Sequence, residues 1–262
     1  MSHNHFPDAE KTISKLEKST STISHSDPEY IAFQKRIAEE DRELARRALK
    51  NDEDKRMRKI FSESLINPLL EKATFENYTP DSSNELSARA KYIVEKYATN
   101  FELKNPQNLL LSGNYGTGKS HLSVAAMKRI ALKNFPDIKG YNHQATMMFI
   151  STPKLMTKIR ESFNNGSDFT EAQLLDEIGK VDLLVMDDVG REIKASGNDF
   201  TTQKIFEIVE SRQGKHTIYT SNFKEQDLMT MYGEAIFSRM IQSTTKISFD
   251  WENYRLKGIV QK

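Results

Sequence analysis

The stretch "GNYGTGKS", residues 113–120, constrains the fold of this chain more than any other feature. It matches the pattern G-x-x-x-x-G-K-[ST] and stands between the apolar segment "NLLLSG", typical of a strand, and the helix-forming segment "GKSHLSVAAMKR". Glycines let a loop turn its N–H groups toward phosphate oxygens, and the N-terminus of the following helix adds partial positive charge. This order of strand, glycine-rich loop and helix predicts a nucleotide-binding α/β domain.

Each position of this phosphate-binding loop has an expected role. Lys119 would reach the β and γ phosphates of a nucleotide, and the Ser120 hydroxyl would hold Mg²⁺. The alternative, a glycine-rich turn that binds no ligand, is disfavoured because both flanking elements are predicted. The other predicted nucleotide contacts are Gly113, Asn114, Tyr115, Gly116, Thr117, Gly118 and His121.

Apolar segments alternate with segments of helical periodicity through the rest of the chain, which predicts a five-stranded parallel sheet covered by helices in a three-layer αβα arrangement. The predicted strands are 108–113, 146–151, 181–187, 216–221 and 245–250. The predicted helices between and after them are 118–134, 152–163, 171–179, 200–213, 224–232 and 233–242.

The N-terminal part of the chain has a different character. Residues 1–27 are rich in Ser, Thr, His and Lys, and we predict that they are disordered because such a composition buries little apolar surface. Residues 28–66 contain one Pro, at position 28, and no Gly, which predicts a helix with a narrow apolar stripe among charges of both signs. Such a helix is either simply solvated or docks on another protein. We predict a helical N-terminal region over 1–65 and a nucleotide-binding domain over 66–262.

The segment "LLVMDDVG" runs an apolar strand into two aspartates, Asp187 and Asp188. Carboxylates at the end of a buried strand are costly unless a metal, a proton or a reacting group needs them. With a nucleotide bound upstream, Asp187 is expected to help hold Mg²⁺, and Asp188 to orient and deprotonate the water that attacks the γ-phosphate. The alternative for Asp188 is a cap on the following turn. Asn222, which ends "YTSN", could sense the γ-phosphate, although polar residues after strands are also typical of turns.

Two arginines are candidates for stabilising the transition state. Arg239 lies in "IFSRMIQ" on a late predicted helix, and Arg255 follows "WENY". An arginine near the γ-phosphate neutralises charge that develops during phosphoryl transfer. By their sequence context alone, both are more typical of ordinary surface arginines.

Charge, cysteine content and hydropathy bound the remaining possibilities. The formal net charge is +1, from 38 Lys and Arg against 37 Asp and Glu, so affinity for nucleic acid would have to come from a local basic surface. With no cysteine, the chain has neither a disulfide framework nor a thiolate zinc site. No apolar run reaches 18 residues and the N-terminus lacks the apolar region of a signal peptide. We expect a cytoplasmic protein without membrane association.

In their order along the chain, these motifs together with "GEAIFSRM" and "FDWENYR" closely resemble the bacterial replicative-helicase loaders of the DnaC/DnaI type. Those loaders are AAA+ ATPases and are related to the IstB transposition helpers. The similarity runs from "TFENY", residues 74–78, to the end of the chain. It implies an AAA+ fold, ATP and Mg²⁺ as cofactors, and an N-terminal region that binds the hexameric DnaB-type helicase. Without cysteines, that region resembles the purely helical type rather than the zinc-binding one.

The resemblance also implies a role for each matching residue. Lys119 and Ser120 match the Walker A positions, Asp187 and Asp188 match Walker B, and Asn222 matches sensor 1. Many AAA+ proteins have glutamate where this chain has Asp188, although part of the family also has aspartate. The shorter side chain predicts slow hydrolysis of ATP to ADP and phosphate, which would be modulated by DNA.

Further roles fall on residues nearer the surface. Arg239 matches the arginine finger, which acts on the ATP of a neighbouring subunit and so implies self-association, and Arg255 matches sensor 2. The segment "KIRESF" resembles the DNA-contacting helix of the loaders. In it Arg160 would contact a phosphate and Phe163 would stack on a base of single-stranded DNA, unless Phe163 belongs to the core.

The predicted function is therefore that of an ATP-dependent loader. It would bind a DnaB-type helicase and single-stranded DNA and deliver the helicase to DNA during replication initiation. One alternative is an IstB-like transposition helper that binds DNA and recruits a transposase. Another is a nucleotide-gated adaptor that hydrolyses little ATP.

Overall fold

The computed structural model describes residues 68–136, 142–163, 170–196 and 199–256, together with single positions and pairs between 28 and 42. These latter positions are helical, as predicted for that segment, and they are exposed. The predicted disorder of residues 1–27 and most of the predicted N-terminal helix lie outside the described residues. Contacts within the chain separate two units, residues 1–54 and 55–262. The second unit contains all of the predicted site residues.

A five-stranded parallel sheet forms the centre of this second unit, and its strand order is β4-β5-β6-β1-β7. Every predicted strand is present, with ends that differ from the prediction by at most two residues. A short antiparallel pair, β2 with β3, lies outside this sheet and was not predicted. The strands are β1 (Asn108–Gly113), β2 (Phe135–Pro136), β3 (Asn142–His143), β4 (Met147–Ser151), β5 (Leu183–Asp187), β6 (His216–Ser221) and β7 (Thr244–Phe249).

The six helices predicted for the nucleotide-binding domain are also present in the part of it that the structure describes, and two further helices there, α1 and α5, were not predicted. The helices are α1 (Glu85–Thr99), α2 (Lys119–Ala131), α3 (Thr152–Glu161), α4 (Glu171–Lys180), α5 (Arg191–Ser196), α6 (Asp199–Ser211), α7 (Glu225–Tyr232) and α8 (Glu234–Met240). Two 3₁₀ turns, Pro68–Leu70 and Tyr254–Leu256, lie near the two ends of the described unit. None of the helices in the described part of the chain is long and apolar enough to cross a membrane.

Helix α1 follows a cluster of turn-forming residues and is one of the two helices that were not predicted. Asn84, the last polar residue of that cluster, is the N-cap, and its side chain accepts a hydrogen bond from the backbone N–H of Leu86. The buried face of the helix repeats every four residues at Ala90, Val94 and Ala98. The turn-forming residues therefore mark the start of a helix rather than a continuing loop.

Each face of the sheet contributes to a separate hydrophobic core. Leu109 and Leu111 of β1 point into the core shared with α1 and α2, whereas Leu110 between them points into the core on the opposite face. The same alternation occurs on β5, where Val185 lies in the first core and Leu184 in the second. Side chains from α3, α4, α6, α7 and α8 complete the second core. The three-layer αβα prediction is confirmed.

The parallel arrangement gathers the C-terminal ends of the strands at one edge of the sheet. In an open α/β sheet this edge is where ligands bind. Strand β6 lies between β1, which leads into the glycine-rich loop, and β5, which ends at Asp187. Any contact between the loop and the two aspartates must therefore pass beside the end of β6.

Candidate nucleotide-binding site

Three glycines give the phosphate-binding loop its conformation. Gly113, Gly116 and Gly118 have φ values of 129°, 68° and 96°, in the left-handed region that residues with a Cβ seldom adopt. A Cβ on Gly113 would lie 2.6 Å from the carbonyl oxygen of Phe249 on the neighbouring strand β7. Helix α2 begins at Lys119, directly after Gly118. The loop therefore connects the end of a buried strand to a helix N-terminus, as predicted.

Lys119 is buried at the base of this loop. Its Nζ donates hydrogen bonds to the carbonyl oxygens of Gly113, at 3.0 Å, and Asn114, at 2.5 Å. Burial lowers the pKa of Lys119 to about 8, while the negative charges of Asp188 and Asp187 act in the opposite direction. The lysine and the two aspartates thus lie close enough to influence one another's charge.

Asp187 and Ser120 meet at the start of helix α2. The Ser120 hydroxyl donates a 2.6 Å hydrogen bond to Oδ1 of Asp187, and the Thr220 hydroxyl donates another, also 2.6 Å, to the same oxygen. Asp187 is only 7% exposed, and burial raises its pKa despite the two hydrogen bonds. This carboxylate is therefore oriented by hydroxyl groups from two different elements.

The donors at this position suit Mg²⁺. Mg²⁺ prefers oxygen ligands and is commonly held by one or two carboxylates together with the phosphates of the substrate. Ser120 and Asp187 supply one hydroxyl and one carboxylate beside the loop. Within the described residues no cluster of three or more His, Cys, Asp or Glu could form a cage made by protein alone. The site fits a cation that is bound jointly with a nucleotide.

Asp188 has the left-handed backbone conformation, with φ of 60°. Aspartate and asparagine tolerate this region better than other residues that carry a Cβ. Its Oδ1 accepts a 2.9 Å hydrogen bond from Nδ2 of Asn222, and its Oδ2 lies 3.4 Å from the Arg191 guanidinium. Its backbone N–H donates to the Thr220 hydroxyl at 3.1 Å. The structure therefore joins Asp188 and Asn222, two residues that were predicted separately.

The turn after Asp188 is capped by a different acid. Glu192 is buried, and its Oε2 accepts a 3.0 Å hydrogen bond from the backbone N–H of Gly190. The side-chain hydrogen bonds described for Asp188 are to the side chains of Asn222 and Arg191. This arrangement counts against the alternative in which Asp188 serves as the cap of that turn.

The C-terminal segment lies along the phosphate-binding loop. The backbone N–H of Asn114 donates to the carbonyl of Phe249 at 2.8 Å, and its side-chain amide donates to the carbonyl of Trp251 at 3.1 Å. Farther along, the N–H of Tyr254 donates to the carbonyl of Gly116 at 3.0 Å. The loop is thus held by backbone and side-chain bonds to residues more than 130 positions later.

This segment also brings Arg255 to the site. Arg255 is exposed and lies in the 3₁₀ turn Tyr254–Leu256. Its positive charge contributes to the lowered pKa of Lys119, although less than burial does. Arg255 directly follows Tyr254, whose N–H is bonded to the Gly116 carbonyl of the loop.

Arg239 has different surroundings. It lies in the last turn of α8, and its Nε is 3.0 Å from Oε1 of Glu210 on α6. Its guanidinium lies 5.4 Å from the ring centroid of Phe206 and also donates to the carbonyl of Ala235 at 2.7 Å. These described contacts are with α6 and its own helix, not with loop 113–120. The structure does not bring Arg239 together with the other predicted site residues of this chain.

The remaining loop contacts differ in exposure. Tyr115 is 58% exposed at the tip of the loop, whereas the ring of His121 lies 5.5 Å from that of Tyr78 in an edge-to-face arrangement. Nε2 of His121 is 2.8 Å from the carbonyl oxygen of Thr74. Segment 74–78, at which the resemblance to the loaders begins in the sequence, therefore packs beside the start of α2.

The predicted DNA-contacting residues lie at the end of α3. Arg160 and Phe163 are both exposed, and Phe163 is 57% exposed. The Phe163 ring makes an edge-to-face contact with Phe200 at 6.0 Å, and the Arg160 guanidinium donates to the Thr201 hydroxyl at 3.4 Å. Lys204 lies 5.7 Å from the Phe200 ring. Phe163 is thus a surface residue that contacts Phe200, and its alternative assignment to the core is wrong.

Sequence reasoning missed Thr220, Tyr78 and Trp251. Thr220 bonds to both aspartates, and the signal was available, since it lies in the same "YTSN" segment that pointed to Asn222. Tyr78 and Trp251 both donate to the carbonyl of Thr117 within the loop. No local pattern indicates these last contacts, because the partners are far apart in the sequence.

Comparison with known proteins agrees with this geometry. Residues 24–261 match the family model described as IstB-like ATP binding protein. The chain is 28% identical over 236 residues to the replicative helicase loader DnaC of Buchnera aphidicola subsp. Baizongia pistaciae, covering 89% of this chain and 88% of that protein. It is 27% identical over 203 residues to the loader DnaC of Escherichia coli strain K12, covering 76% of each.

A solved structure of the DnaC helicase loader has a similar fold, with a TM-score of 0.58 and 24% identity over 70% of this chain and 99% of that one. The predicted resemblance and the AAA+ fold are confirmed, and the names of the relatives support a loader role. The family model matches most of the chain, and the loop 113–120 and strand β5, which ends at Asp187, agree with that match. The chain therefore belongs to the family of IstB-like ATP-binding proteins and has the fold of an AAA+ P-loop NTPase.

Proposed function

We propose that this chain is an ATP-dependent loader that binds a DnaB-type replicative helicase and single-stranded DNA and delivers the helicase to DNA during replication initiation. The main support is the similarity, over 89% of the chain, to a protein named replicative helicase loader DnaC. The joining of Asp187, Asp188 and Asn222 beside the loop supports hydrolysis as well as binding of ATP.

The loop and β5 hold ATP and Mg²⁺ in this proposal. Bound Mg²⁺ would neutralise charge between the β and γ phosphates. Ser120 and Asp187 would hold it, and Thr220 keeps the Asp187 carboxylate oriented through its 2.6 Å hydrogen bond. Lys119 would exchange its hydrogen bonds with two loop carbonyls for contacts with phosphate oxygens.

Asp188 acts on the attacking water. Asn222 holds one carboxylate oxygen at 2.9 Å, and the other, near the more exposed Arg191, can accept a proton. The side chain is one methylene shorter than glutamate, so we propose that it positions the water less closely and that turnover is slow. Slow turnover suits a protein in which ATP controls attachment to a partner.

The two arginines serve different sites in this scheme. Arg255 acts on the nucleotide of its own chain, because the preceding residue, Tyr254, is bonded through its N–H to the Gly116 carbonyl of the loop. Arg239 acts in trans on the nucleotide of a neighbouring subunit, because its partly exposed side chain contacts Glu210 and Phe206 of α6 rather than the loop of its own chain. Self-association would then be required for full activity.

Single-stranded DNA would bind along the end of α3. Arg160 offers a contact to a phosphate and Phe163 a ring on which a base can stack, a combination that binds single strands without sequence preference. Such a local basic and aromatic surface is compatible with a net charge of only +1.

The test is affinity capture of the full chain from its source cell with ATP and Mg²⁺, and identification of the partner. We expect a hexameric replicative helicase. A parallel capture with residues 66–262 alone is expected to lose the helicase while retaining ATP binding, which also shows that the shortened protein is folded. Equal capture by both forms would contradict the role assigned to residues 1–65.

The second candidate is a transposition helper, and the description of the matching family model favours it. It predicts a transposase as the captured partner, affinity for duplex DNA, and a transposase gene beside the gene for this chain.

The third alternative is an adaptor that binds ATP but barely hydrolyses it. Steady-state hydrolysis with and without single-stranded DNA distinguishes it from a loader, whose turnover Lys119→Ala should abolish.

A further inference from the structure

The carbonyl oxygen of Thr117, inside the phosphate-binding loop, accepts two side-chain hydrogen bonds. The Tyr78 hydroxyl donates at 3.1 Å, and the indole N–H of Trp251 donates at 3.2 Å. The two donors lie 39 residues before and 134 residues after Thr117. Both bonds are buried, so water does not readily replace either donor.

We propose that Tyr78 and Trp251 are positioning residues that together hold the Thr117–Gly118 peptide in the orientation needed to bind phosphate. The peptide unit is planar and trans, so its C=O and N–H point in opposite directions. Fixing the Thr117 carbonyl on one side therefore fixes the N–H of Gly118 on the other. Backbone N–H groups of such a loop are the groups that bind phosphate oxygens. This inference rests on the nucleotide binding proposed above.

Both donors are rigidly placed. The ring of Tyr78 packs against Gly118 so closely that a Cβ there would overlap it, and Gly118 has a φ of 96°. Trp251 is only 5% exposed, and its ring lies 4.6 Å from that of Phe249. Burial raises the pKa of Tyr78 to about 12, so its hydroxyl remains a donor at neutral pH.

Two donors on one carbonyl predict a specific pattern of loss. If either donor is removed, the carbonyl still has one partner, and the orientation of the peptide is largely retained. If both are removed, a buried carbonyl has lost both side-chain partners, which is more costly than the loss of an ordinary hydrogen bond. The double variant should therefore lose more nucleotide affinity than the two single losses multiplied together.

The experiment compares Tyr78→Phe, Trp251→Phe and the double variant with the wild-type protein. Each substitution removes the donor and keeps an aromatic ring. Tyr92→Phe, at a position 62% exposed on α1, is the matched control. Affinity for a fluorescently labelled ADP with Mg²⁺ is measured alongside thermal melting, and KM and kcat are measured with ATP.

We expect binding to weaken about two- to threefold in each single variant and more than about twentyfold in the double variant. The change should lie in KM, with kcat at saturating ATP nearly unchanged, because the contact between Asp188 and Asn222 is not altered. The control should bind as the wild type does. A purely structural role would lower the melting temperature of the double variant without this extra loss of nucleotide affinity.

If the double variant loses no more affinity for the nucleotide than the two single losses multiplied together, the positioning role is overturned while the proposed function stays intact. A wild-type protein that binds no nucleotide would overturn the proposed function itself. If the double variant does not fold, amide hydrogen exchange of loop 113–120 is measured in the single variants. Because each single variant keeps one donor, exchange about two- to threefold faster than in Tyr92→Phe, in step with the weaker binding, supports the role, and unchanged exchange in both single variants refutes it.

Discussion

Replacing Asp188 by asparagine removes one negative charge beside the phosphate-binding loop and changes little else. The backbone at this position is left-handed, with φ of 60°, and asparagine adopts that conformation as readily as aspartate does. Oδ1 of the new side chain can still accept the hydrogen bond from Asn222. The substitution should therefore not strain the turn.

The structure separates the effect on stability from the effect on catalysis. The only ion pair described for Asp188 is with Arg191, at 3.4 Å, and the Arg191 side chain is 65% exposed. An exposed pair of this kind contributes at most about 1 kcal/mol to stability. Removing a general base costs about 10²- to 10⁴-fold in rate, or roughly 3 to 5 kcal/mol of activation free energy. Catalysis should thus suffer far more than folding.

The assay measures binding of ATP with Mg²⁺, steady-state release of phosphate, and thermal melting. We expect Asp188→Asn to bind ATP within about threefold of the wild type and to lose at least 99% of turnover. Asp176→Asn, at an exposed position on α4, is the control and should leave turnover unchanged. Turnover that stays within a few-fold of the wild type in Asp188→Asn would refute the assignment of Asp188 as the base.

Three other predictions follow from the same geometry. Thr220→Val removes the hydroxyl that bonds to Asp187 and to the N–H of Asp188. The Mg²⁺ concentration that gives half-maximal turnover should therefore rise about 10- to 100-fold. An unchanged dependence of turnover on Mg²⁺ would contradict this. Arg239→Ala should retain ATP binding but lose about 10³- to 10⁵-fold in turnover. Mixing it with the Lys119→Ala protein should restore part of that activity, and no restoration would count against action in trans. His216 is buried at the start of β6, where its ring nitrogens lie 3.1 and 2.9 Å from the carbonyl oxygens of Gln107 and Glu102. Burial lowers the pKa of His216 below 6.5, so the unfolded chain binds more protons below that pH and stability falls as the pH falls, by at most about 1.4 kcal/mol per pH unit. Melting temperatures between pH 7.5 and 5 should show a shallower slope for His216→Gln than for the wild type, and equal slopes would refute this.

Local sequence patterns predicted the sheet and most of the helices. The strands are short apolar runs with clear ends, and their side chains alternate between two cores, as at Leu109 and Leu110. Helix α1 was missed because Asn84 stands at the end of a series of turn-forming residues, and the same residue type both forms turns and caps helices. The pair β2–β3 was missed because strands of two residues have no period to detect.

The candidate site was predicted unevenly. Residues adjacent to the glycine-rich loop could be assigned from it, because Lys119 and Ser120 belong to the same local motif. Asp188 and Asn222 were recognised as members of separate segments, and only the structure shows that their side chains are 2.9 Å apart. Arg239 could be placed on a helix but not relative to the site, since the direction of its side chain depends on packing against α6.

By itself the sequence determined the class of ligand, the order of the strands along the chain and the family, because a phosphate-binding loop is a local motif formed by eight consecutive residues. Only the tertiary structure decided the strand order β4-β5-β6-β1-β7, which places Thr220 of β6 between the loop and the acidic strand. It also brought Tyr78 and Trp251 to the same carbonyl of Thr117. Such contacts join residues up to 134 positions apart, and packing of the whole domain determines which of them meet.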